Sequence, residues 1–265
     1  MNVPNTTALP SPARVTPNQL HAFGGVWRLT FRRFLLPGHW LMLGIALAVL
    51  ALLCFSLGQG RKGNGDYVGW IVGFYVTFLV PAFAFMAAGG AIRDEMKSGT
   101  VDYVLTRPVR RPAFLVFKYL AHTLCTQLDF LFAFGVVLAI GVLRDVPGLA
   151  EAAPKLLLGQ VLLVAAFSAF GFLGGVLTSR YVIVGLAYGG LIEVGVGQIP
   201  TQLSRLSMTH QVRDLLGSLA GSDTLAPTAL SALGTSGIVL LFGATMLALA
   251  AVIFTVRELS GPADA

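Results

Sequence analysis

Residues 93–118 read RDEMKSGTVDYVLTRPVRRPAFLVFK, and nine of these 26 positions are charged in a 265-residue chain with 18 Lys and Arg and 12 Asp and Glu in all. Long apolar runs lie on both sides of this stretch. Soluble proteins average about 25% charged residues, whereas this chain has 11%, with 55% hydrophobic residues. The charged island is most simply an aqueous excursion between two membrane-crossing runs. Several runs approach the roughly 20 residues that cross the hydrocarbon core as a helix. They are too long and too continuously apolar for barrel strands. The fold class is therefore an all-α polytopic membrane protein.

Outward from the island, six apolar runs predict transmembrane helices near 39–58, 67–92, 113–143, 155–178, 180–199 and 234–256. They form one transmembrane domain over 21–258, after a Pro-rich tail at 1–20 expected to be disordered and before a short tail at 259–265. In residues 21–36 apolar side chains including Trp27 and Phe31 recur at helical spacing, while Arg28, Arg32 and Arg33 take the other side. That pattern predicts an amphipathic helix in the headgroup layer, its arginines near anionic lipid. Pro37-Gly38 ends it. A segment at 200–233 is too polar to cross and too apolar to be free in water, so it is expected to form one or two short helices at the outer leaflet.

Net charge is +6, which topology explains without nucleic acid. With the N-terminus inside, the cytoplasmic segments carry twelve of the 18 Lys and Arg, and the outer loops carry six. This bias places both termini and the charged island in the cytoplasm. Cys54 and Cys125 lie inside apolar runs without metal-ligand spacing, so no metal site is expected.

Polar and small residues inside the spans mark where protein or a wet cavity is met. Gly185, Gly189, Glu193 and Gly197 recur every four residues and form one ridge, with Gly69, Gly73, Thr77 and Pro81 as the matching ridge on the second span, flanked by Phe74 and Phe78. Gly69, Gly73, Phe74, Phe78, Gly185, Gly189 and Glu193 are candidates for a translocation path or a dimer seam; packing within one subunit explains the ridges equally well. On the third span Tyr119, His122, Thr126 and Asp129 make a polar stripe. A proton relay is conceivable there, but a structural Asp129 is favoured because no basic partner is expected at its depth.

Enzymatic chemistry is not supported. No G-x-x-x-x-G-K-[ST] loop occurs, so ATP dependence would need a partner. Gly234-Thr-Ser-Gly237 has the form of a rhomboid-type serine motif, yet no histidine follows Ser236 to serve as base.

Within the island Ser98-Gly99 suits a helix end, and Thr100 with Asp102 suits the start of another. Val101, Val104 and Leu105 share one face, and Pro108 disfavours helix at Arg107. A helix of about six residues falls well short of the ~12 to 15 that are marginal alone in water, so it needs a surface to lie on. The pattern Glu95-x-x-x-Gly99-Thr100-x-x-x-x-Leu105-x-x-Pro108-x-x-Arg111, with Lys118 beyond it, resembles the segment between the second and third spans of ABC type-2 permeases. The six-run layout around it resembles them too, over residues 20–258.

The resemblance implies a membrane-spanning permease subunit of an ABC exporter in a bacterial-type cytoplasmic (inner) membrane, with no catalytic site or cofactor of its own. It implies a short coupling helix within 93–112 that docks on a separate ATP-binding subunit, where ATP and Mg are held. Two such subunits and a second permease, identical or related, would complete the assembly. On the matching positions Val101, Val104 and Leu105 would insert into the partner, while Glu95, Arg111 and Lys118 would fix the helix to the span ends or bond the partner. The rival readings are an ion-coupled secondary transporter or channel using Asp129 and Glu193, and a membrane assembly scaffold.

Overall fold

The computed structural model describes residues 19–57, 67–97, 111–195, 207–217 and 229–256. Among them there is no strand. An amphipathic helix, α1 (Gln19–Phe34), leads directly into α2 (Pro37–Leu57). Proline suits the first helical position of α2, where its missing N–H costs nothing. Next comes α3, which is α-helical over Tyr67–Trp70, π-helical over Ile71–Leu79 and α-helical again over Val80–Lys97. Then follow α4 (Arg111–Leu143), α5 (Leu149–Leu177) and α6, whose Tyr181–Tyr188 is α-helical and Gly189–Gly195 π-helical. A ten-residue helix, α7 (Met208–Gly217), precedes α8 (Ala229–Val256).

Among the described residues, five helical stretches are long and apolar enough to cross a membrane: Pro37–Ser56, Tyr67–Met96, Arg111–Leu143, Leu149–Leu177 and Gly234–Val256. The run expected as a span at 180–199 is shorter among the described residues, an apolar helix at Tyr181–Glu193. Two other expected boundaries move. α5 starts at Leu149, ahead of Pro154, and so carries that proline inside the helix. α8 starts at Ala229, ahead of Gly234.

Pro81 gives a reason for the wide winding of α3. In a continuous α-helix its ring would collide with the carbonyl four residues back, that of Thr77. The chain ahead of it is wound i→i−5 instead, and the Val80 N–H donates to Tyr75 O, five residues back. The Thr77 hydroxyl is shared between Val72 O and Gly73 O, both at 2.6 Å.

The core is built around α5, which is buried over most of its length, whereas α2 and α8 leave large apolar faces open. Its tightest neighbour is α3. A Cβ on Gly171 would run into Phe85 O and Ala88, and one on Gly175 into Ile92 and Gly89 O. Only glycine allows this backbone approach. The open surface carries Leu41, Met42, Leu52, Phe55 and Leu241, a hydrocarbon shell that suits lipid and not water. The protein is thus an all-α polytopic membrane protein.

The tight connection expected around Thr178-Ser179-Arg180 is present between α5 and α6. Phe34 and Trp40 meet edge to face across the Pro37-Gly38 junction, at 5.5 Å between centroids. The break therefore turns the chain without releasing it.

Candidate functional site

The residues on either side of the charged segment come together at one end of the bundle. Glu95 lies in the last turns of α3 and Lys118 in the second turn of α4, and both side chains are almost fully buried. Lys118 Nζ donates to Glu95 Oε1 at 2.9 Å and reaches Thr30 Oγ1 at 3.4 Å. From α1, Arg33 Nη1 approaches the same Glu95 oxygen at 3.3 Å, with its side chain about half exposed. Thr30 in turn donates to Val26 O at 2.9 Å. One carboxylate thus holds three helices together.

Local sequence explains the arrangement. Val26, Thr30 and Phe34 fall four apart along α1 and turn one face towards α4. Phe23 meets Phe117 edge to face at 5.3 Å, which lays α1 along the start of α4. Leu115, fully buried, and Phe114, stacked on Phe254 of α8, pack beneath the pair. A buried ion pair contributes little net stability, because desolvation offsets most of the attraction. Losing one member is costly.

Residues 98–110, carrying the predicted Gly99, Thr100, Val101, Val104, Leu105 and Pro108, lie outside the described residues. Their two flanks are described, and Glu95 and Lys118 clamp those flanks. Arg111, at the first turn of α4, is exposed. Arg28 and Arg32 are exposed on α1, with Trp27 and Phe31 half-buried and their rings stacked at 6.3 Å.

The two expected ridges are not brought face to face within the chain. Gly69, Gly73 and Phe78 lie on an exposed part of α3, and nothing stands within 4 Å of a Cβ built on Gly73. Phe74 stacks between Trp70 and Phe78. Gly185 instead sits hard against the Phe85 ring of α3, further along that helix, while Gly189 is open.

Both intramembrane carboxylates have partners. The expectation that no basic group lies near Asp129 is corrected: His39 Nε2 of α2 is 3.0 Å from Asp129 Oδ1. The pair was hidden because 90 positions separate its members and His39 stands in the first turn of its span. Glu193 accepts hydrogen bonds from the backbone N–H groups of Met208 (3.1 Å) and Thr209 (3.2 Å), and from the hydroxyls of Ser207 and Thr209. It caps α7 from another helix. Among the described residues no three His, Cys, Asp or Glu gather as a metal site.

This arrangement can be compared with known proteins. The profile of the family described as "ABC-2 family transporter protein" matches residues 37–193, more than half of the chain. The chain belongs to the ABC-2 transporter family. It is 30% identical over 165 residues to the "Probable ABC transporter permease protein NosY" of Stutzerimonas stutzeri, covering 58% of this chain and 60% of that protein. It is 37% identical over 155 residues to the protein of the same description from Pseudomonas aeruginosa, covering 54% and 52%. The chain thus spans between half and three fifths of the length of these relatives. In this ABC-2 family chain, Glu95, Lys118, His39, Asp129 and Glu193 fall inside the matched region. Thr30, Arg33 and α7 fall outside it.

Sequence reasoning named Glu95 and Lys118 but missed Thr30 and Arg33 as their partners. A signal existed for Thr30, which is the polar residue on the face of α1 that otherwise carries Val26 and Phe34. Arg33 gave none, since it shares its charge and its surroundings with Arg32.

Proposed function

We propose that this chain is the permease subunit of an ATP-binding cassette exporter in a bacterial-type inner membrane, with both termini in the cytoplasm. It moves a substrate with ATP hydrolysed, together with Mg, on a separate ATP-binding subunit, and has no catalytic site of its own. The working assembly is two permease subunits, identical or related, and two ATP-binding subunits. Family membership and the role named for both relatives support the transport reading. The observation that carries the coupling is the buried Glu95–Lys118 pair, tied to Thr30 and Arg33 of α1.

A short helix between α3 and α4 moves the spans only if its ends cannot swing independently of them. The clamp supplies that stiffness. Val101, Val104 and Leu105 enter a groove on the ATP-binding subunit. When two nucleotide-loaded subunits close, the shift passes through residues 98–110 into α3, α4 and α1 together. ATP drives the change because it binds the closed arrangement better than the open one. Exposed Gly69, Gly73 and Phe78 on α3, with Gly189 on α6, meet the second permease and border the path.

Leu105→Asp tests the reading, because it places a charge at the centre of the docking face and leaves the clamp untouched. The variant is expected to insert and fold normally but to lose co-purification with the ATP-binding subunit and stimulation of its turnover. Unchanged co-purification and turnover overturn the coupling assignment.

A further inference from the structure

Glu193 was a candidate for the path, and its surroundings give it a different task. Its carboxylate meets two backbone N–H groups and two hydroxyls, all from residues 207–209. An ionised carboxylate offers about four acceptor sites and no donor, so these four donors match its capacity. They are also the first groups of α7, whose leading N–H groups have no partner inside the helix. The Ser207 hydroxyl additionally accepts from the His210 N–H at 3.0 Å.

The helix so capped lies across the far end of the bundle from Glu95. It rests on the π segment of α3, on α5, on α8 and on the π segment of α6 that carries Glu193. Val212, Leu215 and Leu216 are buried under it, and Gly159 of α5 makes room for Val212 and Leu216. Apolar packing seats α7, and one carboxylate fastens its leading end.

We propose that Glu193 is a latch that holds α7 closed over the outer end of the bundle and releases it in each transport cycle. This rests on the transport reading above. Two features suit release rather than permanent fixing. First, the donors are neutral and Glu193 is only half-buried, so water can replace them without stranding a bare charge in the core. Second, the anchor stands on a π-helical turn. Such turns are rare and are found frequently at functional sites. Rewinding the Gly189–Gly195 segment by one residue turns Glu193 by about 100° round the helix axis, away from α7. A Cβ built on Gly189 or Gly190 would meet nothing within 4 Å, so the segment has open space at its start. The π segment of α3, also under α7, lies on the helix whose other end holds the Glu95 clamp. A shift arriving from the ATP-binding subunit therefore has a continuous route to the latch.

The test uses the full chain with its ATP-binding subunit in lipid nanodiscs and reads amide hydrogen exchange at Met208–Gly217. Glu193→Gln keeps the shape and removes the charge; losing charge-assisted hydrogen bonds is expected to raise exchange in α7 roughly tenfold or more, with Leu162–Phe172 of α5 unchanged. Trapping with ATP and vanadate is expected to raise α7 exchange in the natural protein. In a Glu193→Cys, Ser207→Cys double variant, a short bifunctional thiol reagent is expected to stop ATP turnover, with each single variant plus reagent as control. Cys54 and Cys125 are buried. Unchanged turnover in the cross-linked protein overturns the latch, as does α7 exchange indifferent to Glu193→Gln. If nucleotide changes exchange nowhere in the permease, the transport reading fails, and the Glu193→Gln comparison alone then decides whether the carboxylate holds α7.

Discussion

Glu95 and Glu193 are the same chemical group held in two ways at opposite ends of the bundle. Glu95 is almost fully buried and meets two cations, Lys118 and Arg33. Glu193 is half-buried and meets four neutral donors at the start of α7. About 30 Å of helix separates such sites, the rise of some 20 residues of α3. The first arrangement is unforgiving, since removing one charge leaves the other in a low-dielectric interior. The second is forgiving, because a carboxylate released from a cap passes to water. On the coupling and latch proposed above, a rigid joint suits an end that receives a push, and a releasable one suits an end that opens.

The largest expected effect comes from breaking the rigid joint. Lys118→Met keeps the length of the side chain and takes from Glu95 its buried cation, while the Arg33 that remains beside it is half exposed. Removing one partner of a buried pair costs about 3–5 kcal/mol, so the thermal midpoint in detergent should fall markedly. Glu95→Gln added to Lys118→Met should recover most of that loss, because no uncompensated charge then remains. If the double variant is as unstable as the single, the pair is held by packing and the contrast with Glu193 collapses.

Between the two ends runs the close-packed seam of α3 and α5, past which any shift proposed along α3 would have to travel. A Cβ on Gly175 would lie 2.6 Å from Gly89 O, a backbone atom that cannot move aside alone. Gly175→Val should therefore cost about 1–3 kcal/mol by overpacking and separate the helices. The effect on coupling should exceed the effect on stability: ATP-dependent exchange in α7 should vanish in a protein that still binds its ATP-binding subunit. Retained exchange would mean the two ends communicate by another route.

The parts legible in sequence were those that depend on period and composition. The all-α membrane class, the amphipathic α1, the break at Pro37 and the tight turn after Thr178 all follow from local patterns. Glu95 and Lys118 were named through a motif, and they meet as a pair because each lies near the end of a helix flanking one short segment. Partners distant in sequence were not legible. His39 and Asp129 are 90 positions apart, and Glu193 with Ser207 are joined only through the fold. Counting every fourth residue grouped Gly185, Gly189 and Glu193 on one ridge; three dimensions give them three neighbours, namely Phe85, open space and α7. The π segments were invisible for a related reason. Periodicity assumes α winding, and only Pro81 hinted that α3 departs from it.

The smallest effect sharpens the comparison most. Arg33 and Lys118 both touch Glu95 Oε1, yet Arg33 is about half exposed and Lys118 is not. Exposed ion pairs are worth about 0–1 kcal/mol, so Arg33→Gln should barely move the thermal midpoint. Its consequence should instead appear in motion. With Lys118 still neutralising Glu95, α3 and α4 remain joined, but α1 loses its charged tie and keeps Thr30, the apolar face of Val26 and Phe34, and the aromatic contact of Phe23. A spin label on α1, read against one on α4, should show a broader distance distribution in Arg33→Gln at unchanged stability, and the broadening should shrink in high salt, where the natural pair is screened as well. A distribution identical to that of the natural protein would assign α1 to the bundle through packing alone, and the rigid joint would then join two helices rather than three.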